Sequence, residues 1–296
     1  MENINFKHSI IFFNFCILIS PLYLILNFEP VVFCLFLILI LGISHGALDN
    51  IKGKKLLKLF GYKQTVFFYL TYVLISSLII IFWLIFPNIV LFLFLIVAAY
   101  HFGKEDTIFS FKRRFLISEC LFFLKGSSVI VTPLLLQRNA TNEIFQILNF
   151  NVFESAVFND QFLIMLLCLS FLSSLFISNK KDTDIKGIMI MDFASLIILN
   201  FFLTPILAFT IYFCFLHSIR HSISLMLEMK ISSKIFLKKA LPLTFITAVI
   251  FIGSGWAITL NNYSLDSAIL KVIFIGLASL TFPHILLEYL LEKNEK

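Results

Sequence analysis

Charge is what this 296-residue sequence has least of. Asp, Glu, Lys and Arg make up 14% of it, against about a quarter in a soluble globular domain, while apolar residues make up 60% and the mean hydropathy is +0.99. A water-soluble fold is thereby excluded. Glycine (10) and proline (7) are too scarce for a low-complexity or collagenous chain. The five cysteines (Cys16, Cys34, Cys120, Cys168, Cys214) lie in apolar runs without CxxC spacing. They read as small buried apolar residues, not as a disulfide frame or a zinc site. The sequence has no Gly-rich phosphate loop, no GxSxG, no heptad run and no polar domain. It also has no evident internal repeat, which counts against a transporter built from inverted halves. The polar/apolar alternation of a membrane β-barrel is missing as well.

What is present is a series of apolar runs, each near the 20 residues that a helix needs to cross the hydrocarbon core. The reading is an all-α, polytopic transmembrane helical bundle forming one integral-membrane domain, 1–296, with ten spans. These fall at roughly 10–26, 30–48, 66–86, 89–103, 115–136, 161–178, 188–203, 205–228, 240–260 and 268–291. The run 188–228 would be about 60 Å long as one helix, so Pro205 must break it. The first run follows a single Lys and ends without a small-residue cleavage site, so the segment MENINFKHSI is expected to stay as part of the first helix.

Charge placement tests this layout. Nineteen of the 23 cations fall in alternate connections and at the termini; Arg138 alone lies in the other set, and Lys125, Arg220 and Lys271 lie within spans. Such asymmetry would not survive a missed helix in mid-chain. By the positive-inside rule both termini are cytoplasmic and the protein is a multi-pass resident of the cell (inner) membrane. The net charge of +6 therefore marks topology, with no nucleic-acid partner implied. The longest outer loop, 137–160, has room for a short interfacial helix.

Five of the six histidines lie inside the spans: His45, His101, His217, His221 and His284. His8, at the start of the first span, reads as incidental. The five all sit on even-numbered spans and in the same leaflet. One buried histidine is as well explained by interhelical hydrogen bonding as by chemistry, but five at related depths point to a metal. His217 and His221 share a helical face at i, i+4. Imidazoles without nearby thiolates suit Fe, Cu, Zn or Ni. Asp49, four residues after His45, can orient an imidazole; Asp106, Glu228 and Glu288 are further nearby carboxylates. Arg220 is a permanent charge in a span and needs a partner, for which Asp192 has the matching depth. Tyr69, Tyr72, Trp83, Tyr100 and Phe102 are candidates to line an apolar tunnel.

The segments GISHGALDN (42–50), AAYHFGKED (98–106), LHSIRHS (216–222) and FPHILLEYL (282–290) resemble, in order and spacing, the four histidine blocks of the Brp/Blh family of membrane β-carotene 15,15′-dioxygenases. The resemblance covers about 41–290. It implies a non-haem Fe(II) enzyme that splits β-carotene at its central double bond with O₂, giving two all-trans-retinal molecules. It further implies His45, His101, His217 and His221 as metal ligands, His284 as an additional site residue, a substrate drawn from membrane lipid, and retinal available to an opsin. Two departures, GIS before His45 where a proline is common and Asn50 where a histidine is common, touch no proposed ligand. Three rivals remain: a di-iron hydroxylase, for which the histidines are too few, a b-type haem protein, and a transporter with a His/Arg220 proton relay.

Overall fold

The computed structural model describes residues 2–26, 30–62, 64–107, 116–178 and 183–294, and the side chains of Ser44 and His45 are outside that description. The described residues form helices and no strands. Ten helices are long and apolar enough to span a bilayer, and an eleventh is short. In chain order they are α1 (Glu2–Leu26), α2 (Val31–Leu59), α3 (Val66–Ile85), α4 (Pro87–Glu105), α5 (Leu116–Leu136), the short α6 (Arg138–Ile147), α7 (Asp160–Ile177), α8 (Thr183–Phe202), α9 (Pro205–Glu228), α10 (Ser233–Thr259) and α11 (Leu265–Asn294).

The breaks follow from proline. Thr204 is extended and Pro205 opens α9 at its first turn, where the missing N–H costs nothing. Pro87 opens α4 after Phe86 in the same way. The loop after α5 holds α6 and two single 3₁₀ turns, Val152–Glu154 and Ala156–Phe158. Four phenylalanines (Phe145, Phe150, Phe153, Phe158) pack edge to face there, which seats the segment on the bundle. The cysteines divide: Cys16, Cys34 and Cys214 are buried, whereas Cys120 and Cys168 face outward. A small apolar side chain is tolerated equally well by core and by lipid.

α9 is the most buried span and α3 the least. Two of the histidine-bearing helices are irregular where those histidines lie. α2 widens to π-helix over Ile38–Gly42 and tightens to 3₁₀ over Ile43–Leu48, which contains His45. α9 is π-helical over Tyr212–Ser218, which contains His217. Such turns re-aim side chains and recur at functional sites. The two irregular stretches meet, because a Cβ on Gly42 would lie 2.6 Å from the Phe213 ring. In α11, Pro283 removes one N–H from the ladder immediately before His284.

α4 and α5 cross at backbone contact. A Cβ on Gly126 would sit 1.8 Å from the Ala99 carbonyl oxygen, and one on Gly103 would sit 1.8 Å from that of Phe122. Small residues let helices approach in this way when lipid offers no hydrophobic drive to associate. Because Gly103 is two residues from His101, the crossing also sets the depth of that imidazole. Gly126→Ala should therefore separate the pair at a cost of about 1–3 kcal/mol, seen as a lowered unfolding midpoint in detergent.

Candidate metal centre and apolar cavity

Four imidazoles from three helices form a continuous run. Ring centres are 5.1 Å apart for His217 and His101, 5.2 Å for His101 and His284, and 5.8 Å for His284 and His221. His217 meets His101 of α4 and His221 meets His284 of α11, so the i, i+4 pair supplies both ends of the run. All four rings are buried. His8 lies apart, its Nε2 at 2.9 Å from the Phe215 carbonyl.

Three of the rings are held in one and the same way. His217 Nδ1 lies 3.0 Å from Asp106 Oδ1, His221 Nδ1 lies 3.1 Å from Glu105 Oε2, and His284 Nδ1 lies 2.9 Å from Asp49. A carboxylate accepts, so each Nδ1 carries the proton and donates, which leaves Nε2 as the lone-pair nitrogen. All three Nε2 atoms are buried. Tyr212 donates to Asp106 Oδ2 at 2.7 Å and Tyr72 lies 3.0 Å from Asp49 Oδ2, steadying two of the three acceptors. Asp106 sits just past the end of α4. Burial alone would raise its pKa, but His217, Lys125 and Arg220 together hold it well below the usual carboxylate range.

This donor set fits a first-row cation. Neighbouring rings lie 5.1–5.8 Å apart, close enough for adjacent imidazoles to share an ion at about 2.1 Å from each nitrogen. Three buried carboxylates behind neutral imidazoles also leave the pocket negative, and a divalent cation offsets that. Among the described residues, the group whose ligand atoms all lie within 4.8 Å of one another is Asp49, His284 and Glu288. Asp49 is already committed to His284 and Tyr72, however, and Glu288 pairs with Lys52 of α2. These carboxylates are better read as supports for the imidazole cluster.

The remaining candidates separate cleanly. Arg220, 1% exposed, forks onto Asp192 (2.6 and 3.1 Å) and reaches Ser9 of α1 at 2.8 Å, forming a buried network behind the imidazoles. Phe102 packs its edge on His217, with ring centres 4.8 Å apart. Tyr100 turns away to Glu119 of α5, and Trp83 packs on Phe94. Glu228, at the end of α9, makes no contact that the site uses. Asp49 supports His284 of α11; its expected pairing with the His45 side chain lies outside the described residues. Glu105 was missed from sequence, although a second carboxylate beside Asp106 at the end of a histidine span was its signal.

Beside the imidazoles lies an apolar cavity of about 510 Å³, walled by α2, α3, α10 and α11 and reaching His284, Asp49, Tyr69 and Tyr72. Val73, Ile80 and Leu84 of α3 and Ile246 and Ile250 of α10 line it and are also exposed on the surface of the bundle. The cavity therefore opens sideways, toward lipid, between two helices that each pack on α11.

Residues 36–292 match the family model described as beta-carotene 15,15′-dioxygenase. The chain belongs to that family. It is also 30% identical over 266 residues to the protein named beta-carotene 15,15′-dioxygenase from uncultured marine bacterium 66A03, a match that covers 86% of this chain and 90% of that one. No solved structure matches. The region shared with the family holds all five intramembrane histidines and their carboxylates. It leaves out α1, whose Ser9 nonetheless completes the Arg220 network. Asp106→Asn should weaken binding of a divalent transition metal by about 10–100-fold, measured by titration of the purified protein, because an amide can donate as well as accept and no longer fixes the His217 tautomer.

Proposed function

We propose that this protein cleaves β-carotene at its central 15,15′ double bond with O₂, giving two molecules of all-trans-retinal, at one non-haem Fe(II). The observation that carries the reading is a juxtaposition: His284 belongs to the imidazole run and also forms part of the wall of a large lipid-facing apolar cavity. Membership in the dioxygenase family supports the same substrate and bond.

His45, His101, His217 and His221 would hold the metal, with His284, fixed by Asp49 in the same manner, beside them. Bound Fe(II) supplies the redox chemistry without which O₂ does not react with a closed-shell alkene. The rest is the work of the chain itself. Asp106 and Glu105 keep His217 and His221 as Nε2 donors. Phe102 and Phe213 cover the cluster and keep out water that would divert reactive oxygen species. The cavity takes a stiff, apolar polyene directly from the bilayer, so the substrate need never cross water. One polyene and one O₂ make two aldehydes with no proton or electron left over, consistent with donors that serve to orient ligands. The protein acts in the cell membrane with its basic loops and both termini in the cytoplasm, and the retinal it releases is available to an opsin.

Expression in a β-carotene-accumulating bacterium tests this. The orange colour should fade as retinal appears, and aldehydes of unequal length would contradict central cleavage. His217→Ala and His221→Ala should each abolish retinal formation while the protein remains in the membrane at wild-type level; full activity in either would sink the metal assignment.

A further inference from the structure

A second, smaller cavity lies on the other side of the imidazoles. Its volume is about 90 Å³, and α4, α5, α6, α9 and α11 enclose it. His101 is on its wall, as His284 is on the wall of the large cavity, and the two rings are 5.2 Å apart at right angles. Phe213, Leu277 and Thr281 line both cavities and form the partition. The cluster is thus approached by two separate apolar spaces.

The small chamber cannot hold half of a long polyene, because pockets for ligands of that size run to about 300–1,000 Å³. It is also a poor place for water, which needs two to four polar partners. The wall is mainly Phe94, Leu95, Ala98, Ile130 and their like. The Thr141 hydroxyl on it is turned to the backbone carbonyls of Pro133 and Gln137, at 3.0 and 2.8 Å. A dry apolar space of this size suits a small uncharged gas, and O₂, like other apolar solutes, is driven out of water into hydrocarbon.

We propose that this chamber is the O₂ site of the protein, delivering O₂ to the imidazole cluster past His101 while the polyene lies on the His284 side. The assignment rests on the oxygenase reading above. It separates the two substrates before they meet, so a long hydrocarbon filling the large cavity does not block the gas.

Two variants and one probe test it. Ile130→Trp, on a helix that carries no histidine, fills the small chamber; Ile250→Trp narrows the large one. Ile130→Trp should raise the KM for O₂ by about tenfold or more, the scale of a single apolar-pocket contact, and leave the KM for β-carotene unchanged. Ile250→Trp should do the reverse. Xenon, as an inert stand-in, should bind the purified wild type saturably by xenon NMR, lose that binding in Ile130→Trp, and slow the reaction competitively against O₂. A raised β-carotene KM in Ile130→Trp, an unchanged KM for O₂, or a wild type that binds no xenon would each overturn the assignment. If Ile130→Trp does not accumulate, the wild-type xenon result decides alone. A wild type that binds xenon but makes no retinal would fail the reaction reading and leave the chamber intact.

Discussion

Everything at this site depends on a carboxylate accepting the Nδ1 proton of a buried imidazole. An imidazole in hydrocarbon has two nitrogens to satisfy, and an isolated carboxylate there is costlier still. The Asp106–His217, Glu105–His221 and Asp49–His284 pairs satisfy Nδ1 of each ring and leave Nε2, buried in all three, as the lone-pair nitrogen of the neutral imidazole. Each pair joins two helices, so the same bonds that prepare the donors also tie α4 to α9 twice and α2 to α11 once. The arrangement stores negative charge behind the rings, and its natural counterpart is a cation in front of them. Arg220 and Asp192 neutralise one another and add no net charge to that balance.

Much of this was legible in the sequence, for identifiable reasons. The ten spans follow from run length, and Pro205 dictated its own helix break. Depth alone matched Arg220 to Asp192, because a permanent charge in a span has few carboxylates within reach. The shared leaflet of the five histidines suggested a cluster, and the four whose rings are described lie in one run. What could not be read was rotation about the helix axes. The link from Asp49 to His284, a residue 235 positions away on another helix, could not be read from spacing along α2, where the backbone before Asp49 is 3₁₀ with about three residues per turn. Adjacent Glu105 and Asp106 point to different histidines for the ordinary reason that successive helical residues diverge by about 100°. Tyr100 carries its hydroxyl toward α5, a matter of helix facing that local sequence does not encode.

The second constraint is how little holds the wall of the large cavity. α3 is the least buried span, and its polar ties, Tyr69 to Asn50 and Tyr72 to Asp49, lie within its first two turns. The ion pairs Lys52–Glu288 and Lys104–Glu292 fasten the same end of α11 to α2 and α4. Toward the opposite end, the gap is faced mainly by apolar side chains, with Ser254 and Lys271 among them. In a bilayer such contacts exchange with lipid at little cost, since a lipid tail is as apolar as leucine.

A bundle riveted at one end and greased at the other behaves as a peg rather than a box. If α3 and α10 lean apart, the displacement grows with distance from the rivets and is smallest at the histidines, roughly 20 Å along α11 from the far wall at Lys271. A rigid rod-shaped guest can thus enter and leave by movement of the free ends alone, while the histidine end of the bundle keeps its shape.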